Sequence, residues 1–174
     1  MRRYSEVATL TVAQVDALAA RAHGGQVDKI GVPYIEHVRA VAHGLAPLGG
    51  VLEMAGLLHD VIEDTDWTAE QLIDAGVPQP VVDLVRAVTK QPGVPYDEMI
   101  RQVAADPLAC LVKIADNAHN SLPERAARLP QDKRVRLAAK YAAARRVLWP
   151  AVERGHVETI VRRVNPALLP EPDV

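Results

Sequence analysis

Apolar residues recur at three- and four-residue spacing along most of this chain, and glycine and proline separate the segments that carry this pattern. In the first such segment, Val12, Val15 and Leu18 share one helical face before Gly24 and Gly25 end the run. No run shows the two-residue alternation that is typical of a half-buried strand. The spacing therefore predicts an all-α fold, a compact single-domain helical bundle.

The glycine and proline breaks divide the chain into predicted helices. One begins at Pro107 and continues to about Asn120, and a long one covers about 131–154 with a kink at Pro150. The others are predicted at about 11–24, 34–46, 51–64, 68–74, 81–89 and 96–105. Because 174 residues suit one core, residues 1–164 are predicted to form a single domain, and the proline-rich residues 165–174 a flexible tail.

The core of such a bundle has to be built from small side chains. Hydrophobic residues make up 49% of the chain, yet it has no Phe and only two Trp, so Ala, Val and Leu dominate. This composition suits tightly packed helices. The single cysteine, Cys110, lies in an apolar run and is predicted to be buried, which leaves no disulfide within the chain.

The overall charge argues against large anionic partners. With 24% charged residues and a formal net charge of -2, the chain has no general basic field to attract nucleic acid or an acidic membrane. No uncharged stretch approaches the roughly 18–20 residues that span a bilayer, and the N-terminal residues do not resemble a signal peptide. We expect a cytoplasmic protein that binds anions in a locally basic pocket, and the composition leaves its oligomeric state open.

One segment changes abruptly from apolar to ionisable residues. The run at 51–58 is almost wholly apolar, and His59, Asp60, Glu63 and Asp64 follow it. On one continuous helix His59 shares a face with Glu63, and Asp60 shares a face with Asp64. Three carboxylates this close would repel one another without a cation. The segment therefore predicts a bound divalent metal ion.

A second segment repeats this spacing. Asp116 and Asn120 lie four residues apart, and Lys113 precedes Asp116 by three, within an apolar run that indicates burial. His37 would complete a set of two histidines and two aspartates. Borderline nitrogen and hard oxygen donors of this kind suit Mn, Fe or Zn better than calcium.

Four separated blocks of the chain resemble a known family. They are residues 22–26 (AHGGQ), 31–37 (GVPYIEH), 57–65 (LLHDVIEDT) and 112–120 (VKIADNAHN). They are similar to the hydrolase domain of RelA/SpoT homologues, and in layout to stand-alone small alarmone hydrolases, within the HD superfamily of metal-dependent phosphohydrolases. The resemblance covers about residues 20–125 and is specific, because all four blocks occur in the family's order.

The resemblance implies a nucleotide substrate, a guanosine 3′,5′-bispyrophosphate (ppGpp)-type molecule from which the 3′-pyrophosphate is hydrolysed. It implies one divalent ion, commonly Mn²⁺, held by His37, His59, Asp60 and Asp116. Glu63 and Asp64 match the acidic pair that handles the hydrolytic water. The residues expected on the substrate side are Lys29, Tyr34, Lys113, Asn120 and Arg125.

The chain departs from the family's pattern at several positions, and two of them are Asp28 and Asn117. Asp28 precedes Lys29 where many members carry a basic pair, and Asn117 stands where an arginine is common. These departures keep open another HD phosphohydrolase, such as a 5′-nucleotidase or nucleotide pyrophosphatase, and a nucleotide-sensing domain without turnover. The intact Glu63-Asp64 pair argues against a sensor, because a sensor needs no proton shuttle.

The remaining histidines are predicted to be structural: His23, His43, His119 and His156. His43 is six residues beyond His37, which turns it away from the predicted metal residues. His119 is about 100° from the neighbouring asparagine on its helix and is therefore also expected to face away.

Overall fold

The computed structural model describes residues 9–170, and within this range the chain forms helices and connecting turns without a β-strand. This confirms the predicted all-α fold. The helices are α1 (Val12–Ala22), α2 (Tyr34–Leu45), α3 (Gly50–Leu58), α4 (Val61–Asp64), α5 (Ala69–Asp74), α6 (Gln79–Val88), α7 (Tyr96–Ala104), α8 (Pro107–Asn120), α9 (Pro123–Ala127), α10 (Gln131–Leu148) and α11 (Arg154–Val164). Short 3-10 turns cover Ala46–Leu48, Trp149–Ala151 and Pro166–Leu168.

The centre of the bundle is formed by α2, α3 and α8, which pack on one another, with α11 covering α2 and α8. The two helices α2 and α3 come unusually close, because a Cβ atom added at Gly56 would lie 2.8 Å from the Cα atom of Ala42. The buried hydrophobic side chains are almost all Ala, Val, Leu and Ile, and Cys110 is fully buried among them as predicted. The small-residue composition thus permits close helix contact.

The start of α8 is fixed by its own sequence. The Asp106 side chain accepts hydrogen bonds from the backbone N–H groups of Leu108 at 2.9 Å and Ala109 at 3.2 Å, and Pro107 occupies the first helical position. The helix continues to Asn120, as the sequence predicts.

The prediction of one continuous helix over 51–64 is wrong. Helix α3 ends at Leu58, and α4 begins only at Val61. Between them the backbone of Asp60 adopts φ −103° and ψ −2°, outside the regular helical range. The turn brings the consecutive side chains of His59 and Asp60 to the same side of the bundle, which a continuous helix would direct about 100° apart.

The prediction of a long helix over 131–154 is also wrong at its C-terminal end. Helix α10 stops at Leu148, and Pro150 lies in a 3-10 turn, because proline lacks the backbone N–H that a helix interior needs. Helix α11 follows; it is missing from the predicted helices, although its buried residues Val157, Ile160, Val161 and Val164 have helical spacing. None of the helices in residues 9–170 combines the length and apolar character needed to cross a bilayer.

The segment beyond α11 is packed where the structure describes it. Asn165 is buried, and its Nδ2 donates to the backbone oxygen of Ala118 at 2.9 Å. The division into 1–164 and 165–174 stays a prediction, since residues 1–8 and 171–174 lie outside the described range.

Candidate metal centre

Four side chains that are distant in the sequence meet at one point, and we call them the donor cluster: His37, His59, Asp60 and Asp116. Helix α2 provides the first, the turn between α3 and α4 the next two, and α8 the last. The Nε2 atom of His37 lies 3.4 Å from Asp60 Oδ2 and 3.3 Å from Asp116 Oδ1. The Nε2 atom of His59 lies 2.9 Å and 3.8 Å from the same two oxygens. The structure thus brings together all four residues predicted as metal ligands.

The ring of His59 is oriented by a backbone contact. Its Nδ1 lies 2.8 Å from the carbonyl oxygen of Gly56, so in the neutral ring Nδ1–H donates to this oxygen. Nε2 is then free of a proton and directed at the donor cluster. It is buried and has no hydrogen-bond partner among residues 9–170, because Asp60 Oδ2 is close to it but not in a hydrogen-bonding direction. Because this nitrogen lies beside two carboxylate oxygens and a second imidazole, it is suited to bind a metal ion.

The second histidine of the cluster is oriented by His119. The Nδ1 atoms of His37 and His119 lie 2.8 Å apart, so one donates a hydrogen bond to the other. Burial, and then the positive charges of His37 and Arg125, lower the pKa of His119 to about 3, which makes it a neutral acceptor. The prediction that His119 faces away is wrong. His119 stands next to Asn120 in the sequence, which places it near the predicted site. Only the fold shows that α2 packs against α8 on the side to which His119 points.

The charges in the donor cluster are strongly coupled. Burial opposes ionisation of Asp60 and Asp116, but His59 and Lys113 respectively hold the pKa of these carboxyls well below the usual range. Burial likewise disfavours protonation of His59, yet the negative charge of Asp60 raises its pKa to about 10. The two carboxylates therefore favour a positive charge between them: a proton on His59 Nε2 when no cation is bound, or a metal ion bound to the unprotonated Nε2 in its place.

Asp116 is also fixed from outside the cluster. The Nζ of Lys113 lies 2.8 Å from its Oδ2, and Asn120 Nδ2 donates to its Oδ1 at 2.5 Å. Both partners were predicted on the substrate side, and here they contact the carboxylate. Tyr34 similarly donates its hydroxyl to Asp60 Oδ2 at 2.7 Å. Burial, and then the charge of Asp60, raise the pKa of Tyr34 far above its usual value, so it remains a donor.

The donor cluster borders a cavity of about 570 Å³, a volume that suits a small-molecule ligand. Its walls include both residues of the predicted acidic pair, Glu63 and Asp64, and all five residues predicted on the substrate side: Lys29, Tyr34, Lys113, Asn120 and Arg125. Further wall residues are Lys90, Tyr96, Lys140 and Tyr141. One cavity therefore combines carboxylates, imidazole and several cationic side chains.

The two carboxylates of α4 reach this cavity from exposed positions. The Oε2 atom of Glu63 accepts a hydrogen bond from the backbone N–H of Lys90 at 3.0 Å. The backbone oxygen of Asp64 accepts from Gln26 Nε2 at 2.7 Å. These contacts hold the start of the α6–α7 connection and the loop after α1 against α4.

The two unusual positions both make internal contacts. Asp28 lies 2.7 Å from Arg125 Nη1, and its Oδ1 accepts from the backbone N–H groups of Ile30 and Val32. Asn117 Nδ2 donates to the backbone oxygen of Tyr141 at 3.2 Å, which ties α8 to α10. Asp28 therefore compensates the charge of Arg125, whereas Asn117 supports the cavity wall.

Comparisons with known proteins agree with this architecture. A family model for the HD domain matches residues 16–143. A solved structure described as "A metazoan ortholog of SpoT hydrolyzes ppGpp and plays a role in starvation responses" superposes with a TM-score of 0.70 at 24% identity. The superposition covers 95% of this chain and 96% of the other. This likeness shows the fold.

Sequence relatives are found among longer proteins. The chain is 39% identical over 130 residues to a protein named GTP pyrophosphokinase from Streptomyces coelicolor, which covers 66% of this chain and 15% of the relative. It is 39% identical over 133 residues to a guanosine-3′,5′-bis(diphosphate) 3′-pyrophosphohydrolase of Haemophilus influenzae, covering 70% of this chain and 19% of the relative. The chain thus spans less than a fifth of the length of these two relatives. The match of the HD domain model over most of its length shows that the chain belongs to the HD domain family, whose members bind a divalent metal ion.

Proposed function

We propose that this chain hydrolyses the 3′-pyrophosphate of a guanosine 3′,5′-bispyrophosphate-type nucleotide, with Mn²⁺ held by the donor cluster. The observation that carries the proposal is the unpartnered, buried Nε2 of His59, directed at two carboxylates and a second imidazole beside a cavity with cationic walls. Such a cavity suits a ligand with several phosphate groups.

The donor set fits a divalent transition-metal ion. Two atoms bound to one ion at about 2.1 Å and at right angles lie about 3.0 Å apart, and wider angles give longer separations. The distances between the imidazole nitrogens and carboxylate oxygens here range from 2.9 Å to 3.8 Å. When bound, such an ion lowers the pKa of a water molecule and polarises a phosphoryl oxygen.

The chain's own residues handle protons and orientation. Because the backbone of Lys90 engages Oε2 of Glu63, the other oxygen, Oε1, is left to accept a proton from the attacking water. Glu63 can then pass this proton to the neighbouring Asp64, which delivers it to the oxygen of the leaving group. Proton transfer of this kind typically contributes about 10² to 10⁴ in rate.

The names of the relatives support the substrate class. Four relatives at 38–40% identity are named for the 3′-pyrophosphohydrolase activity. A fifth, from Escherichia coli, is 37% identical and is named a bifunctional (p)ppGpp synthase/hydrolase. Others are named GTP pyrophosphokinase, and the chain covers only 14–19% of the length of the relatives of either name, so coverage does not separate the two. The sequence has no glycine-rich Walker-type phosphate loop, which favours hydrolysis over phosphoryl transfer.

The test is product analysis with a matched pair of variants. With ppGpp and Mn²⁺, the protein is expected to release pyrophosphate and guanosine 5′-diphosphate. Glu63→Gln should retain its metal content and lose about 10² to 10⁴ in kcat. Glu124→Gln, which removes an exposed carboxylate outside the cavity, should keep the original rate. Equal rates for Glu63→Gln and the unaltered protein would overturn the proton-transfer role.

One observation favours a second candidate function. The ion pair between Asp28 and Arg125 removes one cation from the cavity wall, which suits a substrate with fewer phosphate charges. A 5′-nucleotidase would release orthophosphate from nucleoside monophosphates, and a nucleotide pyrophosphatase would cleave a phosphoanhydride at the 5′ side. The same product analysis separates these activities from 3′-pyrophosphate hydrolysis.

A further inference from the structure

The cationic side chains of the cavity fall into two groups. Lys113 and Arg125 each contact a carboxylate, on Asp116 at 2.8 Å and on Asp28 at 2.7 Å respectively. The other three form no ion pair within residues 9–170, and we call them the lysine rim: Lys29, Lys90 and Lys140. The cationic side chains of the cavity that form no ion pair among the described residues are therefore those of the lysine rim.

Lys140 is the rim residue that the fold holds most firmly. It lies on the exposed side of α10, and its Nζ is 3.9 Å from the centre of the Tyr96 ring on α7. A cation over an aromatic face is attracted to it, so this contact restrains the ammonium group at the cavity wall. Burial, and then the charges of Lys29, Lys113 and Lys90, lower the pKa of Lys140, as expected for a cation placed near like charges.

The position of Lys140 separates it from the donor cluster. Helix α10 contributes no residue to the cluster, and Lys140 contacts Tyr96 rather than a carboxylate. A phosphate group that reacts beside the donor cluster would leave the rim lysines free to bind a different group of the same molecule. Ammonium groups that form no ion pair with a carboxylate are suited to bind a phosphate group.

We propose that Lys140 is a specificity-determining residue, which binds, together with Lys29 and Lys90, a second phosphate group of the substrate. The preferred ligands are then nucleotides with phosphate groups on both the 3′ and the 5′ oxygens. This inference rests on the proposed function in so far as the hydrolysed group lies at the donor cluster.

Binding of two ligands that carry no pyrophosphate tests the inference without hydrolysis. Guanosine 3′,5′-bisphosphate and guanosine 3′-monophosphate are titrated into the Mn²⁺-loaded protein in a calorimeter. Lys140→Ala should weaken binding of the bisphosphate about tenfold and change binding of the monophosphate by less than about twofold. Lys140→Arg should restore most of the lost affinity. Arg134→Ala, which removes an exposed cation of α10 outside the cavity, should affect neither ligand.

The outcomes also separate the inference from the proposed function. Equal losses for both ligands, no loss in Lys140→Ala, or no binding of the bisphosphate by the unaltered protein would overturn the role of Lys140. If the bisphosphate binds as expected but ppGpp is not hydrolysed, the proposed function fails and the second phosphate site stands. If ppGpp is hydrolysed, Lys140→Ala should raise KM about tenfold with little change in kcat.

Discussion

The donor cluster and the lysine rim border the same cavity, but the fold treats them differently. His37, His59 and Asp116 are 3%, 2% and 7% exposed, and each is held by a further contact from outside the cluster. The three rim lysines are exposed: Lys29 lies in the loop after α1, Lys90 at the start of the α6–α7 connection and Lys140 on the exposed side of α10. The proposed metal site is thus embedded in the core, whereas the proposed site for a second phosphate group lies at the surface.

This difference implies that the two properties can be changed separately. A substitution in the cluster disturbs buried hydrogen bonds and packing, because its residues connect α2, α8 and the α3–α4 turn. A substitution in the rim removes a charge and little packing. We therefore expect cluster changes to affect metal content and kcat, and rim changes to affect KM.

The largest effect is expected from Asp60→Asn. This variant keeps an oxygen for the Tyr34 hydroxyl but removes the charge beside both imidazoles. Metal content should fall strongly, and hydrolysis by about 10³ or more, because the ion contributes several kcal/mol to transition-state stabilisation. Metal analysis of purified protein and steady-state kinetics measure this. Asp66→Asn, which changes an exposed carboxylate nearby, is the control. Full metal content in Asp60→Asn would contradict the assignment of metal binding to the donor cluster.

A smaller effect is expected from removing the partner of His37. His119→Phe keeps a ring of similar size but loses the acceptor for Nδ1, so metal affinity should fall about 10- to 100-fold. His119→Asn can place an oxygen near the same point and should retain more affinity. Competition with a coloured chelator measures both values. Identical affinities in the two variants would show that the contact does not orient His37.

The next largest effect is expected on stability, where α2 packs closely against α3. The Cβ of Gly56→Ala would lie 2.8 Å from Ala42 Cα and 2.9 Å from its backbone nitrogen, so the helices that carry His37 and His59 must separate. We expect a loss of about 1–3 kcal/mol in the free energy of unfolding, measured by denaturant titration. Gly155→Ala, which meets nothing within 4 Å, should be neutral or slightly stabilising. Equal stability of the two variants would contradict this tight approach.

The smallest effect is expected at the cavity wall. Asp28→Asn keeps an oxygen for the backbone N–H groups of Ile30 and Val32 but removes the charge that compensates Arg125. The freed guanidinium should lower KM for a pyrophosphate substrate by about two- to fivefold, with kcat unchanged. An unchanged or higher KM would show that Arg125 serves the fold and not the substrate.

The sequence predicts best those features that depend on neighbouring residues. The bounds of α8 follow from Asp106 and Pro107 at its start, and the composition and spacing lead to the all-α fold. The sequence does not indicate the break between α3 and α4, because residues 59–61 include no glycine or proline that would mark a turn. Tertiary contacts at the donor cluster decide the conformation there.

The same limit applies to the site. Each of the four cluster residues is suggested by a local pattern or by the resemblance, and all four converge. His119 is missed because a projection of α8 alone does not include α2, which approaches from the side of that histidine. The contact of Lys140 with Tyr96 likewise depends on how α10 packs on α7.

The donor cluster joins three chain segments that are far apart in sequence, so an ion bound there would act as a cross-link as well as a reagent. An ion that binds only the folded chain shifts the folding equilibrium by mass action, by about 2.7 kcal/mol at a concentration 100 times its Kd. The melting temperature of the protein would then follow the supply of the ion around it. Scarcity of the ion would reduce both the rate of turnover and the amount of folded protein.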